Sequence, residues 1–183
     1  DNASGTAGLL YLAKKFTKNP LEKSILFATF SGEEMGLIGS KYLAGNIEMA
    51  RDSILAMVNM DMIGRLEEQK LTIFGAGTAN VWDEILASVP SDSLNITTTP
   101  SGSGASDHAA FYEIGIPVLH YFTGTHPDYH RESDTADKIN YKGMADVLAH
   151  VESVIRELSR FSSDEIEFIQ TTDPHQGEMR QDG

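Results

Sequence analysis

The sequence contains no cysteine, so disulfide bonds, thiolate ligands for zinc and a cysteine nucleophile are all excluded. It also lacks any apolar run close to the ~20 residues that a helix needs to cross a bilayer. Basic residues are few: 14 Lys and Arg stand against 27 Asp and Glu, which gives a formal net charge of −13. Nucleic acids and anionic membranes bind proteins through basic surfaces. We therefore expect no nucleic-acid partner and no membrane-spanning segment.

The 183 residues, of which 40% are hydrophobic, are enough for one domain with a substantial core. Apolar periodicity predicts alternating helices and strands, and hence one α/β domain with a largely parallel sheet between helical layers. We expect the domain to cover residues 1–162 and the polar tail, 163–183, to fray. Helices are predicted at 3–17, 37–44, 80–89, 107–114 and 141–161, and strands at 24–30, 53–62, 71–74, 95–99 and 117–122.

Acidic side chains and one histidine follow the predicted strands, each within a short motif. The pair Glu33-Glu34 comes after strand 24–30, Asp61 lies at the end of strand 53–62, and His130 lies in the loop after strand 117–122. In open α/β sheets, functional groups gather at the carboxyl ends of the strands. Carboxylates and imidazole are the ligands of a catalytic zinc that keeps one position open, and a spare carboxylate can move protons. The pattern indicates a metallohydrolase.

Each of these residues also has an ordinary structural interpretation. Asp1, in Asp-Asn-Ala-Ser-Gly, is suited to capping the helix that begins near residue 3. The paired glutamates could be solvated charges, and a histidine such as His130 is more often structural than a ligand, with rivals at 108, 120 and 126. Asp61 differs, because a carboxylate inside an apolar run is costly unless it is paired or bound to a metal. The coincidence of all the motifs favours the functional interpretation.

Taken together, the motifs resemble those of a known family. They are Asp-Asn-Ala-Ser-Gly at residue 1, Gly-Glu-Glu-x-Gly-Leu-x-Gly-Ser from residue 32, Asn-x-Asp-Met from residue 59, Ser-Asp-His from residue 106 and Tyr-His-x-x-Ser-Asp-Thr from residue 129. Their order and separation are similar to those of the zinc aminopeptidases of the bacterial leucine-aminopeptidase type. That clan includes the glutamate carboxypeptidase and transferrin-receptor ectodomains. The resemblance implies a three-layer αβα sandwich with a mostly parallel, mixed sheet.

The resemblance also implies a role for each matching residue. Asp1 would bridge two zinc ions, Glu34 and His130 would bind one of them, and Asp61 would bind the other. Glu33 would be the general base. Tyr129 would donate a hydrogen bond to the oxyanion, and Ser103 is the alternative position for that donor. Ser106 would support the ligands. Met62 and Phe122 would line an apolar substrate pocket.

Complete members of that family carry a further histidine ligand, in a His-x-Asp motif well upstream of the bridging aspartate. Because the sequence begins at Asp1, we expect it to be a fragment that lacks the first strands of the sheet. We expect the isolated chain to bind the second metal poorly and to have little activity. A secreted or periplasmic location is likewise an expectation from the resemblance.

Three functions remain open on the sequence. The first is an aminopeptidase that releases an apolar N-terminal residue from peptide substrates. The second is a carboxypeptidase or dipeptidase of the same clan, which would need a basic residue to hold the substrate carboxylate. The third is a catalytically inactive binding domain, which the retention of Glu33 and all the proposed ligands disfavours.

Overall fold

The computed structural model describes residues 2–48 and 51–172, and they form three layers with a mixed four-stranded sheet in the middle. The sheet order is β1-β4-β2-β3, in which β1 runs parallel to β4, β2 is parallel to β3, and β2 is antiparallel to β4. The predicted mixed α/β class is thereby confirmed. The strands are β1 (Met57–Met60), β2 (Lys70–Phe74), β3 (Asn95–Thr99) and β4 (Val118–Phe122).

Five helices cover the two faces of this sheet in the described part of the chain. They are α1 (Ala3–Lys18), α2 (Ile38–Asn46), α3 (Trp82–Ser88), α4 (His108–Tyr112) and α5 (Tyr141–Leu158). Each lies where the apolar periodicity predicts a helix, although α3 and α4 are shorter than expected. Within residues 2–48 and 51–172, no helix combines the length and apolar character needed to cross a bilayer.

The alternation of side chains along β4 explains why two separate cores form. Leu119 and Tyr121 point into the larger core, which α1, α3 and α5 cover. Val118 belongs to the smaller core, with Ala44 of α2 and the apolar face of α4. Successive side chains of a strand point to opposite faces, so a fully apolar strand is stable only when both faces are covered.

The predicted strand at 24–30 is wrong, because this segment is not part of the sheet. Ile25 and Phe27 pack against the larger core, and the ring of Phe30 lies 5.9 Å from that of Phe111. The apolar run therefore predicted burial correctly. A strand also needs a backbone partner, and β1, at the edge of the sheet, is separated from this segment by a groove that both of them line.

The expected fraying after Ser162 is not seen where the structure describes the tail. Ile169 donates its backbone N–H to Thr78 at 2.8 Å, and the N–H of Thr171 binds the Tyr112 hydroxyl at 2.7 Å. Phe168 forms a bridge with Ala79. Polar composition alone does not predict these contacts. Residues 173–183 lie outside the described part of the chain.

Candidate active site

A groove of about 600 Å³ opens at the carboxyl end of β1, where the sequence places its acidic motifs. Four carboxylates line it, together with the Tyr129 side chain; they belong to Glu33, Glu34, Asp61 and Asp107. None of its described lining residues is Lys, Arg or His. The groove is therefore strongly acidic, and its acids come from three separate stretches of the chain.

A tight loop presents the two glutamates. The carbonyl of Glu33 accepts the N–H groups of Gly36 and Leu37, and the loop closes where Gly39 donates to the Ser31 carbonyl at 2.9 Å. A Cβ on Gly39 would lie 2.8 Å from the backbone of Ser31, so only glycine permits this closure. The repeated glycines of this motif thus shape the loop that carries Glu33 and Glu34.

Asp61 directly follows β1, and a chain of side chains holds its carboxylate. The Ser106 hydroxyl donates to Oδ2 of Asp61 at 2.9 Å, and Nδ2 of Asn59 donates to the Ser106 hydroxyl at 2.9 Å. The same amide lies 3.1 Å from Nδ1 of His120 in β4. Ser106 therefore contacts the predicted ligand Asp61 directly, and Asn59 and His120 continue this series of contacts into the sheet.

The start of α1 is fastened to the segment after Asp61. The Asn2 side chain accepts the N–H of Met62 at 3.3 Å, and the Ser4 hydroxyl accepts the N–H of Ile63 at 3.1 Å. A Cβ on Gly5 would come within 2.2 Å of the Met60 carbonyl oxygen, so glycine is required for this approach. The Asn-Ala-Ser-Gly motif therefore packs the helix start against the end of β1. Asp1 itself lies outside the described residues.

His130 lies against Glu34, the residue with which it is predicted to share a metal ion. Its Nε2 is 2.6 Å from Oε1 of Glu34, and its ring stacks on that of Tyr129 with centroids 3.8 Å apart. His130 has φ of +53°, an uncommon conformation for a residue with a side chain. Across residues 2–48 and 51–172, no three His, Asp or Glu side chains are grouped closely enough to hold a metal ion. The described ligand candidates thus form one pair, with Asp61 elsewhere along the same groove.

The carboxylates affect one another's protonation. Burial, followed by the charges of Asp61, Glu34 and Asp107, raises the pKa of Glu33. Burial also raises the pKa of Asp61, against the lowering effect of the Ser106 hydrogen bond, and it raises the pKa of Asp107. A carboxylate with a raised pKa is a better proton acceptor, which suits a general base.

Tyr129 extends the same electrostatic system. Burial and then the charges of Glu34, Asp61 and Glu33 raise the pKa of its hydroxyl. The hydroxyl therefore stays protonated at neutral pH and is available as a hydrogen-bond donor. That property is the one required of an oxyanion donor. Ser103, the alternative position for the donor, is exposed and is not among the described lining residues of the groove.

Only one of the two residues expected to form the substrate pocket is among the described lining residues of the groove. Met62 lines the groove, although little of its surface is exposed. Phe122 is not among the described lining residues; its ring packs against Phe74 and His120 instead. The rival histidines at 108 and 120 are buried and stack on each other at 4.4 Å, so they belong to the layer beneath the groove. His126 is also buried.

Asp107 is the one carboxylate among the described lining residues for which the sequence predicted no role. It is buried, and its Oδ1 has no hydrogen-bond partner among the described residues. The sequence feature that could have identified Asp107 is its position between Ser106 and His108, directly after a glycine-rich loop. A buried carboxylate oxygen without a partner, in a groove lined by three further carboxylates, makes the groove a suitable environment for a cation. The donor set of carboxylates and one imidazole fits zinc in the ligand types it offers.

A three-layer α/β domain with an acidic groove at the end of a parallel strand, where Asp61 lies, belongs to the class that binds ligands at that edge of the sheet. The chain belongs to peptidase family M28, whose sequence profile matches residues 1–155. It is 30% identical over 156 residues to aminopeptidase YwaD of Bacillus subtilis (strain 168), a match that covers 76% of this chain and 33% of that protein. Leupeptin-inactivating enzyme 1 of Streptomyces exfoliatus is 34% identical over 153 residues, or 75% of this chain and 31% of that protein.

Solved structures give the same picture of the fold. The aminopeptidase from Aneurinibacillus sp. strain AM-1 superposes with a TM-score of 0.74 at 29% identity, over 95% of this chain and 41% of that one. BSAP, a zinc aminopeptidase from Bacillus subtilis, superposes with a TM-score of 0.72 at 26% identity, over 91% of this chain and 44% of that one. The chain spans about a third of the length of the curated relatives it matches.

Proposed function

We propose that the protein carrying this chain is a zinc-dependent aminopeptidase. The observation that carries the proposal is the groove at the end of β1, which four carboxylates line and which has no cationic side chain among its described lining residues. Membership of peptidase family M28 and similarity to proteins named as aminopeptidases support it. The secreted or periplasmic location stays a prediction from the resemblance.

The charge of the groove favours one end of a peptide over the other. A free N-terminus is a cation and is attracted by carboxylates, whereas a substrate C-terminus would be repelled unless a basic residue held it. The partly buried Arg65 is not such a residue, because Asp128 and Asp134 already bind its guanidinium. The groove therefore suits aminopeptidase activity better than carboxypeptidase activity.

We propose that Glu34 and His130 would hold one zinc ion, that Asp61 would hold a second, and that Asp1 would be a ligand shared by both. When bound, zinc would polarise the substrate carbonyl and lower the pKa of water. The Glu33 carboxylate would accept the proton of the attacking water and transfer it to the leaving amine. The Tyr129 hydroxyl would donate a hydrogen bond to the developing oxyanion. Met62 would contact the first side chain of the substrate.

The proposal is tested with the substitution Glu33→Gln, which removes the base and keeps its size. We expect turnover of leucine-p-nitroanilide by the complete protein to fall by about 10²–10⁴-fold, because general-base catalysis contributes that much. Zinc affinity, measured by calorimetry, should stay within about threefold of the unsubstituted protein, because Glu33 is not a proposed ligand.

Two further variants separate the roles. Glu34→Ala and His130→Ala should lose zinc, and activity should disappear with it. Glu22→Gln, an exposed glutamate outside the groove, should change neither zinc affinity nor turnover. If Glu33→Gln retained full turnover, the general-base assignment would be wrong, and if His130→Ala bound zinc unchanged, so would the ligand set.

A further inference from the structure

A second charged cluster lies beside the groove, and no catalytic role is assigned to it above. Arg65 donates from one guanidinium nitrogen to Asp134 and from the other to Asp128, both at 2.8 Å. The three side chains are largely buried, with exposed fractions of 13% for Arg65, 15% for Asp128 and 9% for Asp134. Charge-assisted bonds that are shielded from water are stronger than surface ion pairs.

The two aspartates bracket the residues of the candidate site. Asp128 precedes Tyr129 and His130, and Asp134 follows them four residues later, so the guanidinium joins both ends of this short segment. We refer to residues 126–135 as the histidine loop. The backbone hydrogen bonds described within it join residues only two or three positions apart. Such bonds form turns but do not fix a loop to the domain.

The other end of the contact is rigid. The carbonyl of Gly64 accepts the N–H of Asn140 at 2.9 Å, and the carbonyl of Leu66 accepts the Asn140 side-chain amide at 2.8 Å. Asn140 also caps α5, where its side chain accepts the N–H of Gly143. The backbone on both sides of Arg65 is therefore fastened to a long helix. Arg65 projects from this fixed support towards the histidine loop and contacts it at Asp128 and Asp134.

The loop conformation needs such an anchor. His130 has φ of +53° and its neighbour Tyr129 stacks on its ring, so the segment is held in a sparsely populated conformation. Left-handed backbone at a residue with a side chain is unfavourable and persists where surrounding contacts impose it. The contacts of Arg65 with Asp128 and Asp134, on either side of His130, impose such a conformation.

We propose that Arg65 is a positioning residue that holds the histidine loop in the conformation in which His130 reaches Glu34. Its effect on zinc binding rests on the proposed function, whereas its effect on the loop does not. Lysine is not equivalent, because its single ammonium lacks the planar fork that reaches two carboxylates at once. Lys138 and Ser133 also bind Asp128, at 2.6 and 2.7 Å, so this carboxylate keeps partners without Arg65.

The test compares Arg65→Lys and Arg65→Met with Arg160→Met, which removes an arginine that is 74% exposed and pairs with Glu157 on the surface. The first measurement is amide hydrogen exchange of the histidine loop without added metal. We expect exchange at residues 129–134 to accelerate at least tenfold in Arg65→Met and less in Arg65→Lys. Exchange in β4 and α5 should stay unchanged, and Arg160→Met should match the unsubstituted protein.

The second measurement is zinc affinity by calorimetry. We expect Arg65→Met to weaken it by about 10–100-fold, the range found when groups that orient metal ligands are removed. Faster loop exchange with no zinc binding even in the unsubstituted protein would uphold the role of Arg65 and reject the proposed function. Unchanged loop exchange in an Arg65→Met protein that remains folded, as judged by β4 and α5, would overturn the inference. So would acceleration across all elements alike, because this would indicate a general stabilising role.

Discussion

Ser106 is the residue through which the sheet orients a candidate ligand. It accepts a hydrogen bond from Asn59 and donates one to Asp61, each at 2.9 Å. Because Asn59 also lies 3.1 Å from His120, the Asp61 carboxylate is linked to β4. Ligands held in this way have lost much of their rotational freedom before a metal arrives.

We predict that Ser106→Ala weakens zinc binding by about 10–100-fold, because the orienting hydrogen bond to Asp61 is lost. The Ser106 contact lowers the pKa of Asp61 against the raising effect of burial. Its removal should therefore also shift zinc binding to higher pH. Calorimetric titration across pH 6–8 measures both effects. Ser93→Ala, at an exposed position far along the chain, is the control, and equal affinity in the two variants would contradict the prediction.

At the scale of elements, α1 shows how burial decides the effect of one side chain. Leu12 is 2% exposed in the larger core, whereas Leu10, on the same helix, is 65% exposed. We predict that Leu12→Ala lowers the free energy of unfolding by about 2–5 kcal/mol, since it leaves a cavity in the core. Leu10→Ala should change it by less than about 0.5 kcal/mol. Urea denaturation measures both, and a similar loss in the two variants would place the core elsewhere.

The same element shows what sequence alone can predict. The spacing of Leu12 and Phe16 predicted α1 because helical periodicity is local to the segment. The segment 24–30 was predicted as a strand from equally local evidence, and it failed because pairing depends on a neighbour that periodicity does not specify. Hydrogen bonding to a partner strand is a property of the whole sheet. The order β1-β4-β2-β3 was likewise outside the reach of the pattern.

At the scale of the whole molecule, the sequence predicted those residues of the candidate site that belong to short motifs of acids and histidine. Glu33, Glu34, Asp61 and Tyr129 line one groove, although only Asp61 directly follows a strand and the segment before Glu33 lies outside the sheet. Phe122, predicted as a pocket residue, is not among the described lining residues, because its proximity in sequence to a strand end does not specify the face on which it lies. Arg65 was missed because its function depends on two aspartates more than sixty residues away.

The last prediction concerns the stability of the whole domain and its dependence on pH. His150 of α5 is 2% exposed, and its Nδ1 lies 3.2 Å from the hydroxyl of Tyr121 in β4, so it joins the helical layer to the sheet. Its Nε2 has no hydrogen-bond partner among the described residues. Burial lowers the pKa of His150 to about 4. The unfolded chain, with an ordinary histidine pKa of about 6.5, therefore binds a proton that the folded chain does not.

The sign of the effect follows from this difference. Below about pH 6.5 the unfolded state gains a proton and is stabilised, so the free energy of unfolding falls as pH drops towards 4. For His150 the loss between pH 7.5 and pH 5 is about 2 kcal/mol. Burial lowers the pKa values of His108 and His120 too, so the whole domain should lose stability over the same range.

The substitution His150→Gln isolates one share of this loss, because glutamine stays neutral and can still bond to the Tyr121 hydroxyl. We expect the variant to lose about 2 kcal/mol less than the unsubstituted protein when pH falls from 7.5 to 5, since only this titration is removed. Urea unfolding of both proteins at the two pH values gives four free energies of unfolding. The comparison uses the change with pH within each protein, so a change in stability at pH 7.5 does not affect it. An identical pH dependence in both proteins would mean that His150 is protonated within the fold, and the dry contact between α5 and β4 would then be wrong.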